Sequence, residues 1–294
     1  MIPIHAGLPP APHDLWSAWA PDPLAAMALA TMTLVYAAGV GRRRVRLPAR
    51  RDVLFGAGLL AVGLALLSPL DTASAALASA HMTQHLLLTL VAAPLLTLAR
   101  PGATLMQGLP RPLRRGVGRA RVRLGLTRQR TDLVRRPVPA LVFLTATLWT
   151  WHGSVAYQAS LQHAAWHWLE HAMFLAAGIL FWAVVVDAAR GADAAPAQGV
   201  LLLFGAAMQG VFLSALLTFA DTPFYPGYLD STAAWGLTPI DDQRLAGALL
   251  WIVGGVVHLP AALTLWVRWI AGSDEPRRPA APQTSTKRPA MPTP

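Results

Sequence analysis

His81, His85, His152, His163, His167 and His171 are six of the nine histidines in this chain, and they come from three apolar stretches. Imidazole can hold a metal ion, move a proton or ligate haem iron, and it is costly to bury in lipid without a partner. His81 and His85 are four apart, so on a helix they share one face and can reach one ion together. His163, His167 and His171 repeat that spacing, with Glu170 beside His171. The string His167-Trp168-Leu169-Glu170-His171 also fits the H-x-x-E-H pattern of one class of zinc peptidase, which needs a third ligand from elsewhere. The chain has no cysteine, so thiolate ligands, disulfides and cysteine nucleophiles are excluded. Any metal must be held by His, Met, carboxylate or backbone groups.

The elements that position these residues follow from composition. Hydrophobic residues make up 54% of the 294 and charged residues 13%, against roughly 25% charged in a soluble domain. A bilayer-spanning helix needs about 20 mostly apolar residues. Seven stretches qualify: 22–40, 52–70, 77–99, 138–158, 164–187, 197–220 and 243–269. The expected fold is an all-α membrane protein, a bundle of seven transmembrane helices. Several tryptophans, among them Trp16, Trp19, Trp151, Trp166 and Trp269, sit near segment ends as interfacial anchors would.

The net charge of +10 is distributed as a topology signal, not as a nucleic-acid footprint. Arg42, Arg43, Arg44, Arg46, Arg50 and Arg51 fill the first loop, and eleven arginines lie between Arg100 and Arg136. Arg190 and the tail residues Arg277, Arg278, Lys287 and Arg288 fall on the same side. This places the N-terminus outside and the C-terminus in the cytoplasm, with only Arg244 near the outer face. The expected organisation is an outer arm over 1–21, a membrane domain over 22–271 with a basic cytoplasmic loop at 100–137, and a disordered cytoplasmic tail over 272–294. The N-terminal stretch lacks a basic n-region and is rich in proline, unlike a cleaved signal peptide.

This topology brings all six histidines to one depth near the outer surface. A lone histidine on an apolar face is ordinarily a hydrogen-bonded core residue. Six at one level on three helices point to a bound metal or haem, with a purely structural polar network as the plainer alternative. Glu170 and Gln84 are candidates for orienting ligating rings through their second nitrogen. Met82, a possible soft ligand, points about 100° away from the His81–His85 face, so it need not join the same ion. Met173 and Met208 lie deeper, where methionine ordinarily fills the core but could also act as a soft ligand along a copper path. His258 stands apart near Pro260, and His5 and His13 lie in the outer arm. The long outer loop from Asp221 to Asp242 reads as an ordered turn with a carboxylate helix cap, or else as a lid or partner-docking surface.

The run Ser79-Ala80-His81-Met82-Thr83-Gln84-His85-Leu86-Leu87-Leu88, followed by Ala93-Pro94-Leu95-Leu96, resembles the signature of the CtaG family of caa3-type cytochrome c oxidase assembly factors. The stretch from His163 to Phe181-Trp182 and the block Asp242-Gln243-Arg244-Leu245-Ala246-Gly247, leading to Trp251, are similar to that family's other motifs. The resemblance covers roughly residues 20–270. It implies a multi-pass protein of the bacterial plasma (inner) membrane that helps to mature a haem–copper oxidase. Copper is then the expected ion, bound by His81, His85, His167 and His171 with His152 or His163 added. The expected partners are membrane lipid and an oxidase subunit or a periplasmic copper carrier, with no nucleic acid. Two other chemistries stay open: a membrane zinc metallohydrolase with Glu170 as general base, and a haem-binding helical bundle. No catalytic residue is assigned.

Overall fold

The computed structural model describes residues 9–43, 45, 47–125, 136–191 and 195–273. His5, most of the tail and residues 126–135 of the basic loop lie outside the described residues. The described chain is helical, with no strand among the described residues. Its helices are α1 (Pro23–Arg42), α2 (Ala49–Leu67), α3 (Pro69–Ser74), α4 (Ala78–Ala99), α5 (Gly102–Gly108), α6 (Arg111–Arg123), α7 (Pro137–His152), α8 (Ser154–Gln162), α9 (Ala164–Ala188), α10 (Ala195–Thr218) and α11 (Pro239–Ser273).

Five of these, α1, α4, α9, α10 and α11, are long and apolar enough to cross a membrane. The two remaining expected spans are also helices, with differences that have physical causes. Helix α2 opens with Arg50, Arg51 and Asp52, which shortens its apolar run. Helix α7 ends at His152, where Gly153 takes an extended conformation and the chain restarts as α8. Its 16 residues rise only about 24 Å, against a hydrocarbon core of about 30 Å.

Helices α4 and α9 are the most buried of the five, and they pack against each other. Helix α11 pairs with α10 along its length and also crosses α4. At the N-terminus of α4 the cap residue Leu77 has no side chain to offer the free backbone N–H groups. Asp242, from α11, supplies the cap instead. Its carboxylate accepts from the N–H of Ala78 (2.6 Å) and of Ser79 (3.2 Å), and from the Ser79 hydroxyl. Asp242 therefore caps a helix distant in sequence, while Thr238 makes the local turn with Asp241 at the start of α11.

The middle of α4 widens to a π-helix over Leu87–Ala92. Pro94 lies just beyond and has no N–H, so the Thr89 carbonyl loses its partner five residues on. The indole Nε1 of Trp182 donates to that carbonyl at 3.0 Å, tying α4 to α9. On the other side of the molecule, α1 and α5 approach backbone to backbone. A Cβ on Gly39 would lie 2.0 Å from the Thr104 carbonyl oxygen, and one on Gly108 would lie 1.8 Å from that of Val35. Only glycine fits such a crossing.

Candidate metal centre

Helices α4 and α9 each present histidines four apart on the face turned toward the other. His81 and His85 meet His167 and His171 there, and His152 arrives from the end of α7. Ring centroids lie 4.5 Å apart for His81–His85, 5.4 Å for His81–His167, 5.6 Å for His81–His171 and 5.5 Å for both His85–His171 and His85–His152. All five are buried, with His81 fully enclosed. Two groups have ligand atoms within 4.8 Å of one another: His81 with His85 and His171, and His81 with His167 and Glu170. His81 belongs to both.

Glu170 is fully buried in the middle of this cluster. Its Oε2 lies 3.4 Å from His81 Nε2 and its Oε1 lies 3.4 Å from His85 Nε2. Neither contact has hydrogen-bond geometry, because these four atoms are without a hydrogen-bond partner. The sequence suggested that Glu170 orients a histidine from behind. The structure instead points both carboxylate oxygens into the cluster, where they can ligate an ion.

The rings are held from outside. Tyr228 donates to the Ser74 carbonyl at 2.9 Å, so its oxygen is free to accept from His81 Nδ1, 3.3 Å away. His152 Nδ1 lies 2.8 Å from the Leu148 carbonyl and donates to it. In both residues the Nδ1 proton is engaged outside, and the Nε2 lone pair is left facing inward. Phe174 stacks on His85 at 4.0 Å and fixes that ring's plane.

Three tyrosines roof the cluster. Tyr225 stacks on Tyr157 at 4.0 Å and donates to the His152 carbonyl, while Tyr157 and Tyr228 place their hydroxyls 3.2 Å apart. Burial pushes the Tyr225 and Tyr228 hydroxyls above their ordinary range, so they remain donors at any physiological pH. The loop carrying both is tied down by Ser231, which donates to the Ala76 carbonyl, and by Gln243, whose Oε1 accepts from Phe224 N–H. The segment from Asp221 to Asp242 is an ordered loop that lays Tyr225 and Tyr228 over the histidines and ends in the capping carboxylate of Asp242. The tyrosines were not singled out in the sequence. Their signal is compositional: the chain has only 4 tyrosines, and Tyr157, Tyr225 and Tyr228 converge here.

Other expected residues lie elsewhere. His163 is exposed at the cap of α9. Gln84 turns away from the histidines, donating to the Ala65 carbonyl and to Asp71. Burial pushes the Asp71 carboxyl up to about 6, against the opposing hydrogen bond from Gln84. Met173 accepts from the Trp151 indole at 3.3 Å. Met82 and Met208 line an adjoining cavity that also holds His258. His13 is exposed and pairs with Asp14.

The residues present fit a metal ion. Of the twelve buried side-chain polar atoms without a hydrogen-bond partner among the described residues, seven belong to His81, His85, His152, Glu170 and His171. Each such atom costs about 1–3 kcal/mol, and a cation held by His81, His85 and His171, or by His81, His167 and Glu170, would satisfy several of them together. Imidazole, which dominates this donor set, suits copper, zinc, iron or nickel.

Comparison with known proteins agrees with this architecture. The chain is 26% identical over 276 residues to uncharacterized protein Mb0105 of Mycobacterium bovis, and equally to uncharacterized protein MT0111 of Mycobacterium tuberculosis. The alignment covers 88% of this chain and 41% of each relative, so the chain spans about two fifths of the length of those proteins. No solved structure matches. The model of the cytochrome c oxidase caa3 assembly factor family matches residues 34–272, which include the whole histidine cluster, its lid and the Asp242 cap. This multi-pass membrane chain belongs to the Caa3_CtaG family of cytochrome c oxidase assembly factors.

Proposed function

We propose that this assembly factor binds copper in the His–Glu cluster and passes it to an oxidase subunit, or accepts it from a carrier, at the outer face of the bacterial plasma membrane. The observation that carries the reading is the convergence of inward-facing Nε2 lone pairs on a buried carboxylate. Copper is favoured over other divalent first-row ions by affinity at such a site, and the family's process requires a copper enzyme to be completed. In this reading His81 is the shared ligand, His85, His167, His171 and Glu170 complete the shell, and His152 stands one ring further out. Tyr228 and the Leu148 carbonyl orient rings. The lid over the cluster would have to open for transfer.

The cluster's burial weighs against a hydrolase, which needs an open coordination position reached by substrate. Haem fits poorly too, because a porphyrin plane has no room between rings whose centroids lie 4.2–5.6 Å apart.

The test is element-resolved metal analysis of detergent-purified protein beside His81→Ala/His85→Ala, with oxidase activity measured in membranes from the same cells. Copper in the parent, and loss of both copper and oxidase activity in the variant, is expected. Copper occupancy unchanged in the variant would sink the assignment, and zinc in place of copper would transfer the site to another chemistry.

A further inference from the structure

Below the metal cluster, α4, α7, α9, α10 and α11 enclose a second feature, which meets the copper reading only at His85 and His152. It is a cavity of about 270 Å³ whose upper wall is His85 and His152 and whose lower end holds His258. His258 packs against Phe181 and Trp182. Phe181 lies about 15 Å along α9 from His171, at 1.5 Å per residue. The cavity therefore occupies the depth of the hydrocarbon core.

Four properties define what it can hold. First, its rim carries Trp251 and Leu259, which are 62% and 70% exposed in the middle of α11. Access is sideways from lipid, so an occupant is lipid-soluble. Second, its walls are aromatic and aliphatic, with Phe174, Phe181, Trp182 and Trp251 among them, which suits a flat ring. Third, glycines keep it open. A Cβ on Gly255 would meet nothing within 4 Å, and those on Gly254 and Gly210 would meet only one atom each, at 4.0 Å. The glycines at the α1–α5 crossing, by contrast, are pressed against backbone.

The fourth property is directional. His258 is buried, and its Nδ1 lies 2.9 Å from the Gly254 carbonyl, to which it donates. Its Nε2 is therefore an acceptor, and that atom has no hydrogen-bond partner. Trp182 lies nearly parallel to the His258 ring, with centroids 6.0 Å apart. An occupant that satisfies this nitrogen must donate a proton in a hydrogen bond. A ring bearing only carbonyl oxygens cannot.

We propose that this cavity binds the ring of a membrane quinol, a hydroxylated aromatic head on an apolar tail, with a ring hydroxyl donating to His258 Nε2. The tail leaves through the lateral mouth past Trp251 and Leu259. The oxidised quinone has the same shape but no hydroxyl donor, so the site prefers the reduced form. This assignment does not depend on copper occupying the cluster above.

The experiment uses full-length protein in nanodiscs under anaerobic conditions, with a decyl-substituted benzoquinol and its quinone as probes. Bound probe is extracted and quantified after subtraction of empty nanodiscs. The expected result is saturable binding, with the quinol held about tenfold more tightly than the quinone, the worth of one hydrogen bond. His258→Phe should lose that preference while keeping its melting temperature. Gly255→Leu should exclude both probes, and it serves as the second variant should His258→Phe unfold. His81→Ala/His171→Ala, which removes two proposed copper ligands that do not line the cavity, should still bind the quinol, which separates this site from the copper reading. Equal affinity for the two redox forms, or a preference that survives in folded His258→Phe, overturns the proposal. So does a His258→Phe variant that loses silver(I) uptake while its quinol binding is unchanged, because the cavity would then be a cation station built on His258, Met82 and Met208.

Discussion

Glu170 decides what the buried histidines can be for. Imidazole lone pairs and carboxylate oxygens brought face to face repel one another unless a proton or a cation lies between them. Glu170→Gln keeps the shape and removes the negative charge. It should weaken copper retention against a chelator series while leaving the helical circular dichroism unchanged. Tyr228→Phe makes a subtler change, removing only the hydroxyl that accepts from His81 Nδ1. Loss of such an orienting contact typically costs 10–100-fold in metal affinity, and competition titration of the purified variant measures it. Unchanged affinity would show that the rings are oriented by packing alone. At this scale the four-residue spacing on two helices made the histidines legible, because helical periodicity turns spacing directly into a shared face. The tyrosines were not legible. Tyr157 sits in a short helix after the Gly153 break, and Tyr225 and Tyr228 sit in an irregular loop, where no period links them to the cluster. Gln84 misled for a simple reason: one position along a helix turns a side chain by 100°, and here that turn takes it to Asp71.

The helices carry their own consequences. Asp242 holds the N-terminus of α4 through three hydrogen bonds to a segment far away in sequence. Removing a helix cap costs about 0.5–2 kcal/mol, and here two backbone donors and a buried hydroxyl would be orphaned together. Asp242→Ala should therefore lower the melting temperature of the detergent-solubilised protein and reduce copper loading, although it touches no histidine. A variant that melts lower yet binds copper normally would mean that α4 is positioned by packing on α9 alone. A second test concerns the π-helical turn. Trp182→Phe would leave the Thr89 carbonyl unsatisfied, at a cost of about 1–3 kcal/mol, and thermal unfolding should register it. The apolar runs made the helices readable as such, but not these ties. Asp242 read as a cap for its own helix because capping is usually local. Pro94 and Trp182 stand in different motifs, and only the fold reveals that one frees the carbonyl that the other takes.

For the whole molecule, the open question with the largest consequence is which way the bundle faces. The apolar stretches correspond to helices throughout the described chain, and five of them are long and apolar enough to cross a membrane. Their expected orientation rests on charge, with arginines crowding one set of loops and none in the loop from Asp221 to Asp242 over the histidines. By the positive-inside rule, charge asymmetry of this strength predicts the arginine-rich loops in the cytoplasm and the lid outside. The absence of cysteine makes a clean measurement possible. Ala234→Cys introduces a thiol at an exposed position of the lid segment, and Ala120→Cys introduces one at an exposed position of α6. In intact cells a membrane-impermeant maleimide should label the first and not the second, and permeabilisation should make both reactive. The reverse pattern would place the histidine cluster against the cytoplasm. Copper would then have to be supplied from inside the cell, and delivery to an outer oxidase subunit would require the ion to cross the bilayer. Labelling from outside at Ala234→Cys alone puts the cluster on the side where a carrier and an oxidase subunit can meet it, with the roof of Tyr157, Tyr225 and Tyr228 between them.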